Sequence, residues 1–139
     1  MKKKNIRIAT ILPYKENYTY TKASAASLWV SEFFRKSKFK TSNYIYGQTK
    51  YKDFLSKNYI NIDLKNIKSK FKSATKEYSK KLIKKFKNQK FDLIEIHNRP
   101  LILKEIIKKI NSRYVIYFHN DPLSMKGSKT IKERLNIIS

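Results

Sequence analysis

The sequence predicts an α/β fold in which helices cover both faces of a parallel sheet. Short apolar runs rich in β-branched and aromatic residues alternate with segments whose apolar residues recur at helical spacing. This alternation implies right-handed crossovers, and hence strands that all run in one direction. With 139 residues, of which 40% are hydrophobic, the chain is long enough to bury the core of one domain.

The amino-terminal half contains three predicted strands and one predicted helix. Residues 6–12 form an apolar run that stops at a proline, residues 43–46 form a second run, and 59–62 is a third strand. Apolar residues at helical spacing over 23–34 predict the helix. The hydroxyl of Thr21 offers an N-cap for that helix.

The carboxyl-terminal half continues the alternation. In order, it predicts a lysine-rich amphipathic helix at 69–88, a strand at 92–96, a helix at 101–110, a strand at 113–118 and a helix from 130 onward. Thr130 and Glu133 have the spacing of a capping box. Because no strand follows this last helix, we expect the chain to be a fragment of a longer protein.

The only two histidines of the chain occupy equivalent places, each directly after a predicted strand and shortly before a proline. One cluster is His97, Asn98 and Arg99, and the other is His119, Asn120 and Asp121. The carboxyl ends of parallel strands form the rim at which α/β sheets bind ligands. The second cluster suits hydrogen bonding to a polyhydroxyl ligand, or proton transfer near neutral pH. The alternative is a local role, since Asn and Asp before proline are common turn formers.

Two further places contain candidate binding residues. Glu16 and Asn17 follow the first predicted strand and therefore fall on the same rim, with solvated loop residues as the alternative. Lys126 and Ser128 belong to a small, basic loop before the last helix, where free N–H groups can bind an anion. The competing interpretation of that loop is helix capping within a flexible segment.

Several classes of site are excluded by residues that the sequence lacks. The chain has no cysteine, so a disulfide or a thiolate metal site is excluded, and its two histidines and ten acids show no familiar metal-ligand spacing. With only two glycines, it has neither a G-x-G-x-x-G fingerprint nor a phosphate-binding loop. A G-x-S-x-G nucleophile motif is also missing. We therefore predict no metal and no bound cofactor.

The formal charge of +23 has two explanations. One is a polyanionic partner, either nucleic acid or an anionic membrane surface. The other is an AT-rich coding sequence, because Lys, Ile, Asn and Tyr dominate the composition and lysine far outnumbers arginine. No apolar run approaches the roughly 20 residues of a membrane span. The start of the chain is not a signal peptide, because Arg7 interrupts its apolar stretch. We therefore expect a cytoplasmic protein.

The chain resembles the amino-terminal domain of a family 4 glycosyltransferase, an enzyme type with two facing Rossmann-like domains. The resemblance covers nearly all 139 residues. It is carried by Ile-Leu-Pro-Tyr-Lys-Glu-Asn at 11–17, Ala-Ser-Ala-Ala-Ser-Leu-Trp-Val at 23–30, Ile-Glu-Ile-His-Asn-Arg-Pro at 94–100, and Tyr-Phe-His-Asn-Asp-Pro-Leu-Ser-Met-Lys-Gly-Ser at 117–128, followed by Glu133 and Arg134. One departure is Ala-Ser-Ala at 23–25, where relatives usually carry a glycine.

This resemblance implies a Rossmann-like, acceptor-side domain over residues 1–139 and transfer of a sugar from a nucleotide-activated donor, with retention and without a metal. A carboxy-terminal domain, absent from this sequence, would hold the nucleotide-sugar. The acceptor would be a glycan or a lipid-linked molecule, with peripheral contact to an anionic membrane at its inner face, and nucleic acid is not the expected partner. The implied catalytic residues are His119 and Asp121. The resemblance also implies His97, Asn98, Arg99 and Asn120 as substrate-binding residues. Glu16, Asn17, Lys126 and Ser128, indicated above by their positions, complete the predicted substrate-binding set.

Overall fold

A computed structural model describes residues 5–64 and 73–139 of the chain. In this part the elements are β1 (Ile8–Ile11), α1 (Ala25–Lys36), β2 (Asn43–Gly47), β3 (Tyr59–Asn61), α2 (Ala74–Phe86), β4 (Leu93–His97), α3 (Pro100–Ile106), β5 (Arg113–Tyr117), a 3₁₀ turn (Pro122–Ser124) and α4 (Ile131–Ile138). The five strands pair in the order β3-β2-β1-β4-β5, and every pairing is parallel. The predicted α/β class is therefore confirmed, and the fold is Rossmann-like.

Apolar residues on both faces of the sheet bury two separate clusters. On one face, α1 contributes Val30 and Phe34 to a cluster with Leu12 and Ile45. On the other face lies the larger cluster, whose members include Ala9, Ile11, Tyr46, Ile94 and Ile96 from the strands, Tyr78, Leu82 and Phe86 from α2, and Ile102, Leu103 and Ile106 from α3. Adjacent residues of one strand thus enter opposite clusters, as the pleat of a strand requires.

The order of the strands creates a crevice at one end of the sheet. From β1 the chain crosses to β2 on one side, and it later returns across β1 to reach β4 on the other side. Connections that leave a central strand in opposite directions open a gap between the carboxyl ends of the two neighbouring strands. The segment after β1 and His97 at the end of β4 border this gap, which locates the candidate site.

The start of α1 differs from the prediction. Ser24, not Thr21, is the N-cap, and its hydroxyl oxygen accepts from the N–H of Ser27 at 3.1 Å. The backbone N–H and the hydroxyl of Thr21 instead donate to the carboxylate of Asp53, at 2.9 and 2.8 Å. This partner lies 32 residues away in sequence, so no local pattern indicates it.

Three other helices agree with the predictions to different extents. In the described residues α2 begins at Ala74 after the N-cap Ser73, and the predicted segment 69–72 lies outside those residues. The helix predicted at 101–110 ends earlier, at Ile106. The capping box of α4 is confirmed, because Thr130 and Glu133 each accept from the other's backbone N–H, at 3.1 and 2.9 Å. None of the helices in the described part is long and apolar enough to cross a membrane.

Candidate functional site

The two histidines meet at the carboxyl ends of β4 and β5. His97 is the last residue of β4 and pairs in register with Tyr117, two residues before His119. Nδ1 of His97 lies 2.7 Å from Nε2 of His119. The ring centroids are 5.1 Å apart with an interplanar angle of 16°. Because the centroid separation exceeds the N···N distance by about two ring radii, the rings lie end to end in nearly one plane, which is the geometry of a straight N–H···N hydrogen bond.

Asn98 holds the two strand ends together. Its backbone N–H donates to the carbonyl of Tyr117 at 2.8 Å, and its side-chain oxygen accepts from the N–H of His119 at 2.7 Å. The residue is only 6% exposed and has φ = 54°, in the left-handed region that asparagine tolerates better than most residues. Asn98 therefore positions His119, and its amide oxygen is already engaged.

We expect Asn98→Ala to lower the free energy of unfolding by about 2 to 3 kcal/mol, because it strains the left-handed backbone and leaves the His119 N–H without its acceptor. Asn98→Gly loses only the acceptor, so it should cost roughly 1 kcal/mol less. Urea unfolding of the two variants, compared at equal m-value, measures this difference. An equal loss in both variants would contradict the backbone explanation.

Aromatic side chains surround the imidazole pair. The ring of Trp29, the only tryptophan of the chain, lies 5.1 Å from that of His119, 5.9 Å from that of His97 and 5.7 Å from that of Tyr117. Phe33 stacks on Trp29 with centroids 5.3 Å apart. Trp29 is one of the apolar residues at helical spacing over 23–34, yet 42% of it is exposed. It lies at the edge of the apolar side of α1, between the buried core and the imidazole pair.

Burial keeps the pair uncharged near neutral pH. Burial, with a smaller effect of the charge on His119, lowers the pKa of His97 to about 3. Burial also lowers the pKa of His119, and the negative charge of Glu16 acts in the opposite direction. Two neutral imidazoles can share one hydrogen bond only if one donates and the other accepts. The pair therefore has two tautomeric arrangements.

A polar cluster lies on the α1 face of the sheet and was not predicted. The hydroxyl of Thr10 on β1 contacts a carboxyl oxygen of Glu95 on β4 at 2.9 Å and the side-chain oxygen of Asn43 on β2 at 3.0 Å. Since the hydroxyl has a single proton, a protonated Glu95 that donates to Thr10 satisfies both contacts. Burial raises the pKa of Glu95, which favours this protonated form. The available signal was a glutamate inside the apolar run 92–96.

Two cavities adjoin this cluster. The larger one, about 570 Å³, opens between α1 and the sheet, and its lining residues include Trp29 and Phe33 as well as Asn43 and Glu95. Its volume lies within the usual range of small-molecule sites. A much smaller cavity, of about 10 Å³, is lined by the cluster, by His97 and by aromatic residues of α1. Sequence reasoning indicated neither cavity.

The structure brings together only part of the predicted set. His97, Asn98 and His119 are in contact, and Glu16 lies close enough to affect the pKa of His119. Asn17 lies nearer to β2, where its side-chain oxygen accepts from the hydroxyl of Thr49 at 2.7 Å. Arg99 is exposed, and its guanidinium donates to the Asn98 carbonyl at 3.3 Å. The binding roles of these residues stay predictions.

The loop after β5 uses most of its polar groups internally. The carboxylate of Asp121 accepts from the N–H of Leu123 at 2.9 Å and caps the 3₁₀ turn. Ser128 is buried, and its hydroxyl donates to the Pro122 carbonyl at 2.6 Å. Asn120 and Lys126 are exposed. The carboxylate of Glu133 already accepts backbone N–H groups at the start of α4, so these groups are not free for an anion.

Potential metal ligands do not cluster in the described ranges. Among residues 5–64 and 73–139, no three or more His, Asp and Glu side chains come close enough together to hold an ion. The site therefore consists of a neutral imidazole pair, an exposed tryptophan and exposed polar loop residues at the crevice. Comparison of the chain with protein-family models, with curated proteins and with solved structures gives no match.

Proposed function

We propose that this chain is the acceptor-side domain of a glycosyltransferase that takes a sugar from a nucleotide-activated donor. The observation that carries the proposal is the imidazole pair of His97 and His119, uncharged near neutral pH and located at the crevice of a parallel sheet. A neutral imidazole at such a rim can accept the proton of an attacking hydroxyl group.

Each nearby residue has a role in this proposal. His119, which is partly exposed, accepts a proton from or hydrogen bonds to an acceptor hydroxyl, and the buried His97 orients it. Asp121 and Asn120 bind further hydroxyl groups, and Arg99 pairs with a phosphate or carboxylate of the acceptor. A donor-binding domain supplies the nucleotide-sugar, and no step requires a metal.

The charge of the outer helices fits a location at the cytoplasmic face of an anionic membrane. α2 carries exposed lysines on its solvent side, and the helix packed beside it, α3, adds Lys104. Clusters of lysine near an anionic surface favour peripheral binding. This extends the same proposal to a lipid-linked acceptor, whereas nucleic acid is not the expected partner.

Titration of the ¹⁵N-labelled chain with a panel of neutral oligosaccharides and nucleotide-sugars tests the proposal. We expect weak, saturable shifts of the amides of 97–99 and 119–121 with at least one oligosaccharide. Nucleotide-sugars should give smaller shifts, because in this proposal residues 1–139 bind the acceptor and not the donor. If no oligosaccharide gives saturable shifts at these amides, the proposal is wrong. Stronger binding of nucleotide-sugars than of every oligosaccharide would also overturn the assignment to the acceptor side.

A further inference from the structure

Nε2 of His97 is buried and has no hydrogen-bond partner in the described part of the chain. His97 is only 1% exposed, so solvent does not satisfy this nitrogen. A buried polar atom without a partner costs about 1 to 3 kcal/mol, and a structure rarely retains one without a reason. The residues around His97 therefore indicate which group forms the missing hydrogen bond with Nε2.

A small cavity of about 10 Å³ adjoins both His97 and the buried Glu95. His97 and Glu95 line it together with Thr10 and Asn43. They are two residues apart on β4, so their side chains extend from the same face of the sheet. A cavity of this size with several polar neighbours accommodates one water molecule. Glu95 and Asn43 both present oxygen atoms that accept hydrogen bonds.

The two tautomeric arrangements of the pair have different requirements. In the first, Nδ1–H of His97 donates to His119, and Nε2 of His97 needs a donor. In the second, Nε2–H of His119 donates to Nδ1 of His97, and His97 carries a buried Nε2–H that needs an acceptor. A water whose hydrogens are taken by Glu95 and Asn43 offers its lone pair, which satisfies the second arrangement. That arrangement leaves Nδ1 of His119 unprotonated.

We propose that Glu95 is a positioning residue for the imidazole pair. Through one water molecule in the small cavity, its carboxyl group accepts the hydrogen bond from Nε2–H of His97 and so selects the tautomer in which Nδ1 of His119 is a proton acceptor. Each imidazole then carries one proton. When Nδ1 of His119 takes a further proton, that ring becomes a cation and keeps its Nε2–H bond to His97. The use of this acceptor in sugar transfer rests on the proposed function, whereas the tautomer is a property of the ligand-free chain.

Long-range ¹H–¹⁵N correlation of histidine-labelled protein at neutral pH tests the inference, because it shows which nitrogen of each ring is protonated. The chain has two histidines, so every signal belongs to the pair. In the unsubstituted chain we expect both rings to be protonated at Nε2. In Glu95→Met, which keeps the side-chain length but removes the acceptor, the proton of each ring should move to Nδ1. Glu95→Gln retains a carbonyl oxygen and should preserve the original pattern.

The matched control is Glu105→Met, the same substitution on α3 at a residue that lines neither cavity described above. It should leave the histidine signals unchanged. An unchanged tautomer in folded Glu95→Met overturns the inference, and so does Nδ1 protonation in the unsubstituted chain. If the tautomers behave as expected and no oligosaccharide binds, the proposed function fails while the positioning role of Glu95 stands.

Discussion

His119→Ala is expected to raise the dissociation constant for any oligosaccharide that binds the rim by about 10- to 100-fold, because one or two hydrogen bonds from the ligand are lost. In an enzyme that contains this chain and its donor domain, transfer should fall by about 10²- to 10⁴-fold, which is the usual contribution of a general base. Nuclear magnetic resonance titration measures the first effect, and steady-state transfer measures the second.

The substitution leaves Nδ1 of the buried His97 without its partner and should therefore lower stability by about 1 to 3 kcal/mol. The fold should tolerate this loss, because His119 itself lies in a partly exposed loop after β5. Leu123→Ala is the matched control, since Leu123 is exposed in the same loop. The control should bind the oligosaccharide as the unsubstituted chain does. Equal binding by His119→Ala and Leu123→Ala would contradict the site assignment.

Acidification is expected to destabilise the protein from about pH 6.5 downward. A histidine in the unfolded chain has a pKa of about 6.5, whereas the pKa of His97 in the folded chain is about 3. Between these two pH values the unfolded state therefore binds more protons than the folded state. The contribution of His97 to the free energy of unfolding is therefore fully present above pH 6.5, and it is lost as the pH falls toward 3. By pH 4.5 the loss from His97 alone should reach about 2 to 3 kcal/mol. Urea unfolding at a series of pH values measures this slope.

Burial also lowers the pKa of His119, so this residue adds to the loss in the same direction, whereas Asp53 and Glu95 act outside this window or with the opposite sign. The hydrogen bond from the Thr21 side chain lowers the pKa of Asp53 below its ordinary value of 3.8, so the contribution of Asp53 is lost only at lower pH. The pKa of Glu95 is raised above 4.5, so its contribution grows as the pH falls and offsets part of the loss. His97→Gln removes the titrating ring and should flatten the slope between pH 6.5 and 4.5. An unchanged slope in that variant would show that other groups control acid stability.

The fold was predictable because local patterns and tertiary structure agree. The run 92–96 and the observed strand Leu93–His97 differ by one residue at each end. The apolar residues of 8–12 are buried, whereas Ile6, at the start of the predicted strand, is exposed. The capping box at Thr130 depends on residues three positions apart, so sequence shows it directly. The prediction of Thr21 as the N-cap of α1 was wrong because a distant contact decides the role of this residue. The side chain of Asp53, 32 residues away in sequence, accepts hydrogen bonds from Thr21.

The candidate site was predictable only in its location. The position of both histidines after strands indicated a shared rim, and the structure adds their direct contact. Sequence cannot show that Asn98 is engaged by the His119 backbone, or that Trp29 reaches the pair, because both depend on strand register and on the placement of α1. Glu95 was missed because a glutamate in a strand usually lies on a solvated face. Its burial follows from the position of β4 inside the sheet, between β1 and β5.

The position of β5 has a consequence for how long the imidazole pair persists. In the described part of the chain β5 pairs with β4 alone, so it is an edge strand, whereas β4 is held on both sides. Edge elements open locally at a lower free energy than the whole domain unfolds. Each such opening carries His119 away from His97 and exposes the buried ring to protonation. The local opening of β5 therefore limits how long the site stays assembled, and hydrogen exchange of the β5 amides reports this opening. A ligand that bridges both strands would prolong the lifetime of the assembled site.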